Sequence, residues 1–210
     1  MASLVWDQAG EREFETGVDR GVLYLQDGTA VAWNGLTGVE DSPVMELRSY
    51  YLDGRKYLEY LAPGEFSGKL TAYTYPDELD SVTGVVEIAS GLSYYDQPAK
   101  SFNLSYRTRI GNDLVGVDHG YKIHVLYNIL ANPDGHSSPT LGETVEPSEF
   151  SWTLSGKPPG FPTFLLRPTV HVSIDSTKVD PTPLEARLYG TSSEDPSLPE
   201  MEEILSILGI

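Results

Sequence analysis

The dipeptide Asp53-Gly54 constrains the fold of this chain more than any other short feature of its sequence. It separates residues 44–52 from residues 55–61, two runs that are rich in aromatic and apolar side chains. A two-residue hairpin turn of the commonest type requires a positive φ at both of its residues, and Asp followed by Gly accepts these values. Asp-Gly between two such runs therefore favours a hairpin. The sequence therefore predicts a long β-hairpin with both of its faces partly covered. Its tyrosines are Tyr50, Tyr51, Tyr57 and Tyr60.

Most of the remaining chain also has the patterns of β-strands. Asp27-Gly28 separates residues 22–25 from residues 29–33 and predicts a second hairpin. Pro76 ends another predicted strand, because proline has no N–H to donate to a ladder. Further strands are predicted over residues 66–75, 85–89, 101–108, 121–130, 150–154 and 169–174. A total of about nine to eleven strands favours a mainly β fold, a β-sandwich or a partial barrel.

Helix signals lie near the C-terminus. Residues 182–185 have the pattern of a capping box with proline in the first turn, and Gly190 is suited to end the helix. Residues 197–200 repeat the pattern before a second short helix, which Gly209 would end. We expect residues 1–190 to form one β-rich domain and residues 191–210 an acidic linker with a short amphipathic helix. That helix would dock on its own subunit or on a neighbour.

Two long segments lack a regular pattern. They are residues 132–149 and the Pro-rich residues 155–162. Loops of this length inside a compact domain are usually functional or disordered. In a protein that polymerises, contact with a neighbouring copy is a third explanation.

The charge of the chain is strongly acidic. It has 31 acidic and 14 basic residues and a formal net charge of −17. Such a surface repels nucleic acid, whose binding depends on Lys and Arg neutralising phosphates, and it also keeps proteins soluble and apart. The N-terminus lacks the pattern of a secretory signal, and no apolar run approaches the ~20 residues that span a bilayer. We therefore expect a soluble protein made in the cytosol, without membrane insertion.

No catalytic, cofactor or metal site is predicted. The chain has no cysteine, so a disulfide, a thiolate zinc site and a cysteine nucleophile are excluded. Asp118-His119 suggests acid–base or metal chemistry, but the four histidines form no HxxxH or HExxH spacing. Neither a phosphate-binding loop nor a marked Ser-His-Asp arrangement is present. The sequence therefore does not predict an enzyme.

Several segments carry a resemblance to one family. Residues 17–36 resemble the opening of the major tail tube proteins of long-tailed, non-contractile bacteriophages, and the most specific match is formed by residues 106–113 and 118–127. The resemblance covers most of residues 4–190. One departure is Asn128, where the family pattern predicts glycine, and it concerns only a local turn or bulge. The remaining matches, in the expected order, are residues 72–78, 150–152, 174–178 and 184–190.

The resemblance implies a structural protein of a phage tail, assembled in the host cytoplasm. Such subunits form hexameric rings that stack into a tube, and double-stranded DNA passes through its acidic lumen without specific binding. The implied partners are further copies of the chain and the tape measure, distal tail and tail terminator proteins. Which acidic residues face the lumen is left open, because an error of one residue in register exchanges the two faces of a strand. The candidate contact residues between subunits or rings are Tyr50, Tyr51, Asp53, Gly54, Arg55, Tyr57, Pro158, Pro159, Phe161, Ile204, Leu205 and Leu208.

Two other classes of protein remain as alternatives. In a carbohydrate-binding β-sandwich, Trp6, Trp33 and Trp152 would stack on sugar rings, although core positions explain Trp33 and Trp152 as well. A hydrolase on a β-sandwich would need a catalytic pair that the sequence does not mark. Within the phage interpretation, the chain could also belong to the tail terminus or to the baseplate hub.

Overall fold

The computed structural model describes residues 4–140, 147–159 and 169–210. The described residues form ten strands, one 3₁₀ turn and three short helices. The strands are β1 (Glu13–Tyr24), β2 (Ala30–Trp33), β3 (Leu36–Leu52), β4 (Arg55–Ala72), β5 (Val86–Ala89), β6 (Leu92–Tyr94), β7 (Phe102–Asn112), β8 (Gly116–Pro133), β9 (Phe150–Gly156) and β10 (His171–Asp175). The 3₁₀ turn is Asp77–Leu79, and the helices are α1 (Asp80–Thr83), α2 (Thr182–Tyr189) and α3 (Met201–Leu208).

Eight of these strands form one antiparallel sheet. Its order is β2-β1-β7-β8-β9-β4-β3, and β10 pairs with the first half of β8. The other end of β8 pairs with β9, from Ile129 opposite Gly156 to Pro133 opposite Trp152. Strands β5 and β6 form a separate two-stranded hairpin. Both hairpins predicted at Asp-Gly dipeptides are present, as β1–β2 and as β3–β4.

The large sheet curls until its two edges meet. Edge strands β2 and β3 follow each other in the chain through Asn34-Gly35. At this junction the Trp33 Nε1–H donates to the carbonyl of Thr74 at 3.0 Å, and the Tyr73 N–H donates to the carbonyl of Gly35 at 2.8 Å. The mainly β fold with two C-terminal helices is thus confirmed, and of the two predicted forms it is the partial barrel.

The inside of the curled sheet holds the larger core. Most of its buried side chains come from six strands, mainly at alternate positions as the two-residue period of a strand requires, and Leu79 and Val82 come from the 3₁₀ turn and α1. Trp33 and Trp152 meet there edge to face at 5.7 Å, and each is 4% exposed. Core packing therefore accounts for both of these tryptophans, while Trp6 is exposed. The buried members are Leu23, Trp33, Leu70, Ala72, Leu79, Val82, Phe102, Leu104, Tyr106, Leu126, Ile129, Ala131, Trp152, Leu154 and Val170.

Helices α2 and α3 cover the opposite face of β1, β8 and β10. Two buried tyrosine hydroxyls tie them down: Tyr24 Oη donates to the carbonyl of Leu188, and Tyr127 Oη donates to that of Pro199. The C-terminal helix therefore packs on its own subunit. The buried members of this second core are Val22, Tyr24, Ile123, Val125, Tyr127, Ile174, Leu184, Leu188 and Ile204.

The predicted helix ends are right, but both predicted caps are wrong. Gly190 and Gly209 end α2 and α3 with positive φ, as expected. At the start of α2, however, Asp180 Oδ1 accepts hydrogen bonds from the N–H and the hydroxyl of Thr182. The start of α3 is a reciprocal pair of Glu200 and Glu203, three residues beyond Ser197. At the start of each helix a carboxylate therefore accepts a backbone hydrogen bond, whereas the hydroxyl of Thr182 or Ser197 was expected to accept one.

Candidate assembly surface

The tip of the β3–β4 hairpin projects beyond the sheet. Strand β4 pairs with β9 only from Phe66 to Ala72. In the described part of the chain, residues 45–52 of β3 and residues 55–63 of β4 pair only with each other. We call these residues, 45–63, the arm; at ~3.4 Å per residue its strands extend for roughly 25 Å. Both edges of the arm present backbone N–H and C=O groups to which another chain can pair.

Both faces of the arm carry exposed apolar side chains. On one face Leu47 lies opposite Leu61, and these side chains are 61% and 59% exposed. On the other face Tyr50 lies opposite Leu58, and the Tyr50 and Tyr60 rings stack with centroids 6.2 Å apart. A hairpin on the surface of a monomer normally has one polar face. This one buries neither face in its own subunit.

The turn and the neighbouring bulge shape the tip of the arm. Asp53 and Gly54 have φ of 49° and 75°, as the predicted two-residue turn requires. The register shifts between Tyr50 and Tyr51, which leaves Tyr57 as an extra residue of a β-bulge. Tyr57 is the most exposed aromatic residue of the arm at 76%. Six of the predicted contact residues therefore lie together on the arm: Tyr50, Tyr51, Asp53, Gly54, Arg55 and Tyr57.

The arm has no net charge in a chain whose net charge is −17. Residues 45–63 include three acidic and three basic side chains. Glu59 accepts hydrogen bonds from Lys56 Nζ at 2.5 Å and from Ser49 Oγ at 2.9 Å, and these two donors lower the pKa of its carboxyl. The arm itself therefore adds no net charge to a contact with a second acidic subunit.

The other predicted contact residues lie elsewhere. Pro158 is exposed and Pro159 is half-buried, both in the segment that follows β9, whereas Phe161 lies outside the described residues. Ile204 is buried in the subunit's own core and Leu208 packs against that core, so that of the three α3 candidates only Leu205 is exposed.

A further exposed apolar group lies at the β7–β8 turn, and the sequence analysis did not single it out. Leu114, Val115 and Val117 are exposed at or beside this turn, and Phe14 is exposed on the neighbouring end of β1. The apolar residues between the predicted strands of residues 101–108 and 121–130 were the available signal, because turns normally carry polar residues. This tip lies at the same end of the sheet as the arm.

The residues considered for chemistry have structural partners. His119 Nε2 lies 3.4 Å from Glu13 Oε1, and Asp118 Oδ1 lies 3.7 Å from Arg109 Nη1. Within residues 4–140, 147–159 and 169–210, no three His, Asp or Glu side chains are grouped so as to hold a metal ion. Among the same residues, no helix is long and apolar enough to cross a membrane.

Comparisons with known proteins return similar solved structures from injection machines. One belongs to the sheath–tube complex of an extracellular contractile injection system in the extended state (13% identity, 74% of this chain and 88% of that chain, TM-score 0.37). Another forms the tube-terminating cap of the anti-feeding prophage (10% identity, 83% of this chain and 96% of that chain, TM-score 0.40). No family model and no curated protein matches the chain.

Proposed function

We propose that this chain is a structural subunit that polymerises into the tube of a phage-type tail. The observation that carries the proposal is the arm, which has exposed apolar side chains on both faces and, among the described residues, no strand paired along its outer edges. Removing apolar surface from water contributes about 25 cal/mol per Å², so an arm inserted between two neighbours would stabilise a polymer strongly. In a free monomer the same arm would be a site of aggregation. Assembly gives it a partner on each side.

The finer features of the assembly come from the sequence resemblance. It implies hexameric rings that stack into a tube, with a lumen through which double-stranded DNA passes. A ring requires a heterologous interface, in which one patch of a subunit meets a different patch of the next. The net charge of −17 suits a lumen that does not retain a polyanion. The resemblance favours a long, non-contractile tail, whereas the sheath–tube complex named above belongs to a contractile injection system.

Electron microscopy of the concentrated protein tests this function. We expect negative-stain images to show uniform tubes or stacked rings, with a central hole wide enough for duplex DNA. The variant Leu47→Ser/Leu61→Ser should stay monomeric by solution mass at concentrations at which the unaltered chain assembles. Its melting temperature should change little, because both side chains are exposed in the subunit.

A matched double variant provides the control. Leu4→Ser/Ile210→Ser also removes two exposed apolar side chains without changing the charge, but neither residue lies on the arm. It should assemble as the unaltered chain does. If the unaltered chain stays monomeric at every concentration, or if the arm variant assembles equally well, the proposal is wrong.

The carbohydrate-binding alternative has less support from the surface. The inner core buries Trp33 and Trp152, which leaves Trp6 as the exposed tryptophan ring. A glycan pull-down with the unaltered chain tests this alternative directly.

A further inference from the structure

The register of the sheet gives the subunit two distinct ends. Phe102 pairs with Ile129, Ile129 with Gly156, and Gly156 with Phe66, so these residues mark one row across four strands. The arm extends from this row on one side, as β4 runs back from Phe66 to Arg55. On the other side lie the start of β7 and the chain just before it, which comprises the 3₁₀ turn, α1, β5 and β6. The arm and the β5–β6 hairpin therefore lie at opposite ends of the strands.

The β5–β6 hairpin is a second exposed apolar surface. It pairs with no strand of the large sheet among the described residues. The segment before it is nevertheless anchored, because Leu79 and Val82 are buried in the inner core and the Lys100 N–H donates to the carbonyl of Val82 at 2.9 Å. Its exposed apolar side chains are Val86, Ile88, Leu92, Tyr94 and Tyr95.

This end of the subunit is acidic, so it can pair with a basic side chain of the neutral arm. Residues 76–100 include five acidic side chains and one basic side chain, whereas the arm is neutral and carries three basic ones. Asp77, Asp80, Glu87 and Lys100 line one cleft beside β5. Burial and the neighbouring Asp77 raise the pKa of the Asp80 carboxyl, so a cation brought to this cleft would be favourable.

We propose that the β5–β6 hairpin of one copy is the surface on which the arm of the next copy docks. The inference rests on the proposed function and names the contact that would repeat along the tube. Each copy presents the arm at one end and its docking surface at the other, which is a heterologous contact that does not close on itself. The leucine and tyrosine side chains of the arm lie on the apolar hairpin, and Arg55 faces the acidic cleft.

Cross-linking between single-cysteine variants tests the contact, because the chain has no cysteine of its own. Tyr57→Cys marks the arm, Ile88→Cys marks the docking surface, and Ile210→Cys marks an exposed apolar position outside both. Equal mixtures of two variants are concentrated, treated with a short bismaleimide and separated under denaturing conditions. We expect the mixture of Tyr57→Cys and Ile88→Cys to give about tenfold more cross-linked dimer than Tyr57→Cys mixed with Ile210→Cys.

The outcomes separate this inference from the function on which it rests. If tubes or rings form but the arm cysteine links equally well to both partners, or only to another arm, the docking surface is wrong and the function stands. If neither assemblies nor cross-links form, both are wrong.

The variant Val86→Ser/Ile88→Ser gives a second measure of the docking surface. It should lower the assembled fraction about tenfold with an unchanged melting temperature, and normal assembly would overturn the inference.

Discussion

Two histidines join the root of the arm to the interior of the sheet. His171 Nδ1 lies 2.7 Å from Asp41 Oδ2 on β3, and His171 Nε2 lies 2.9 Å from His124 Nδ1 on β8. His124 Nε2 lies 2.9 Å from Thr108 Oγ1, which itself donates to Glu15 Oε1 at 2.6 Å. This chain of contacts crosses β3, β10, β8, β7 and β1.

His124 should make the stability of the subunit depend on pH. Burial and the neighbouring His171 lower the pKa of His124 from 6.5 to about 4, against the opposing effect of Glu15. Between these values the unfolded chain binds more protons than the folded chain, so the free energy of unfolding falls as the pH decreases. We expect a loss of about 2 kcal/mol from this group between pH 7 and pH 4. Urea unfolding over this range measures it.

A pair of variants identifies the group. His124→Gln should flatten the pH dependence between pH 6.5 and pH 4.5, because it removes the titrating imidazole. His136→Gln replaces an exposed histidine, which stacks on Phe150, and should leave the slope unchanged. Equal slopes in the unaltered chain and in His124→Gln would contradict the assignment. The other groups near His124 are Glu15, Tyr106, Thr108, Lys122, His171 and, through His171, Asp41.

At the scale of single residues, the sequence predicted backbone conformation better than partners. Asp53-Gly54 predicted its own turn, because only a few residue types accept positive φ. Asn128, which stands where glycine was expected, has a φ of 51° beside a register shift of β7 against β8. Asn tolerates this conformation better than most residues. The histidine chain was not predicted, because it joins residues of β1, β7, β8 and β10 that are far apart in the sequence and whose pairing depends on register.

At the scale of elements, the apolar pattern of α3 is compatible with two docking surfaces, one on its own subunit and one on a neighbour. Its apolar spacing predicted an amphipathic helix, but the period of a helix does not identify the surface that it covers. The structure places Ile204 in the subunit's own core and leaves Leu205 partly exposed. Sequence alone did not decide whether α3 docks on its own subunit or on a neighbour, because the linker of residues 191–200 permits either.

Two alanine variants test the packing of α3 on its own subunit. Ile204→Ala should lower the free energy of unfolding by about 2–3 kcal/mol, since the side chain is 4% exposed and its loss leaves a cavity. Leu205→Ala removes a similar volume one residue away, at a side chain that is 37% exposed, and should cost less than about 1 kcal/mol. Chemical unfolding of the dilute monomer measures both. Equal effects would show that α3 does not rest on this core in the free subunit.

The small elements after Pro76 were the ones that pattern analysis missed. The 3₁₀ turn and α1 together span seven residues, and β6 only three, so neither carries enough periods to be recognised. Gly84 ends α1 with a φ of 90°, and a Cβ there would lie 2.5 Å from the carbonyl oxygen of Gln97. Close backbone packing, rather than side-chain pattern, thus fixes the position of the β5–β6 hairpin.

At the scale of the whole molecule, the direction of the strands places two different apolar surfaces at opposite ends of the subunit. The arm and the β7–β8 turn lie at one end, and the β5–β6 hairpin lies at the other. Identical ends would favour a closed dimer, whereas different ends permit repeated addition. The sequence predicted the long hairpin but not the difference between the two ends, because that difference depends on which strands pair across the sheet. Burial of these apolar ends favours contact between subunits, whereas the net negative charge of each subunit opposes it.

That competition predicts how assembly depends on salt. Each subunit has a net charge of −17, and its long-range repulsion is screened by ions, with a Debye length of roughly 30 Å at 0.01 M and roughly 8 Å at 0.15 M. Burial of the apolar arm does not depend on this screening. We therefore expect sedimentation to show a larger assembled fraction at about 0.3 M NaCl than at about 0.01 M NaCl. Leu47→Ser/Leu61→Ser should stay monomeric at both, because screening cannot replace the lost contact. If salt dissolved the assemblies instead, ion pairs such as that proposed for Arg55 would outweigh the apolar contact.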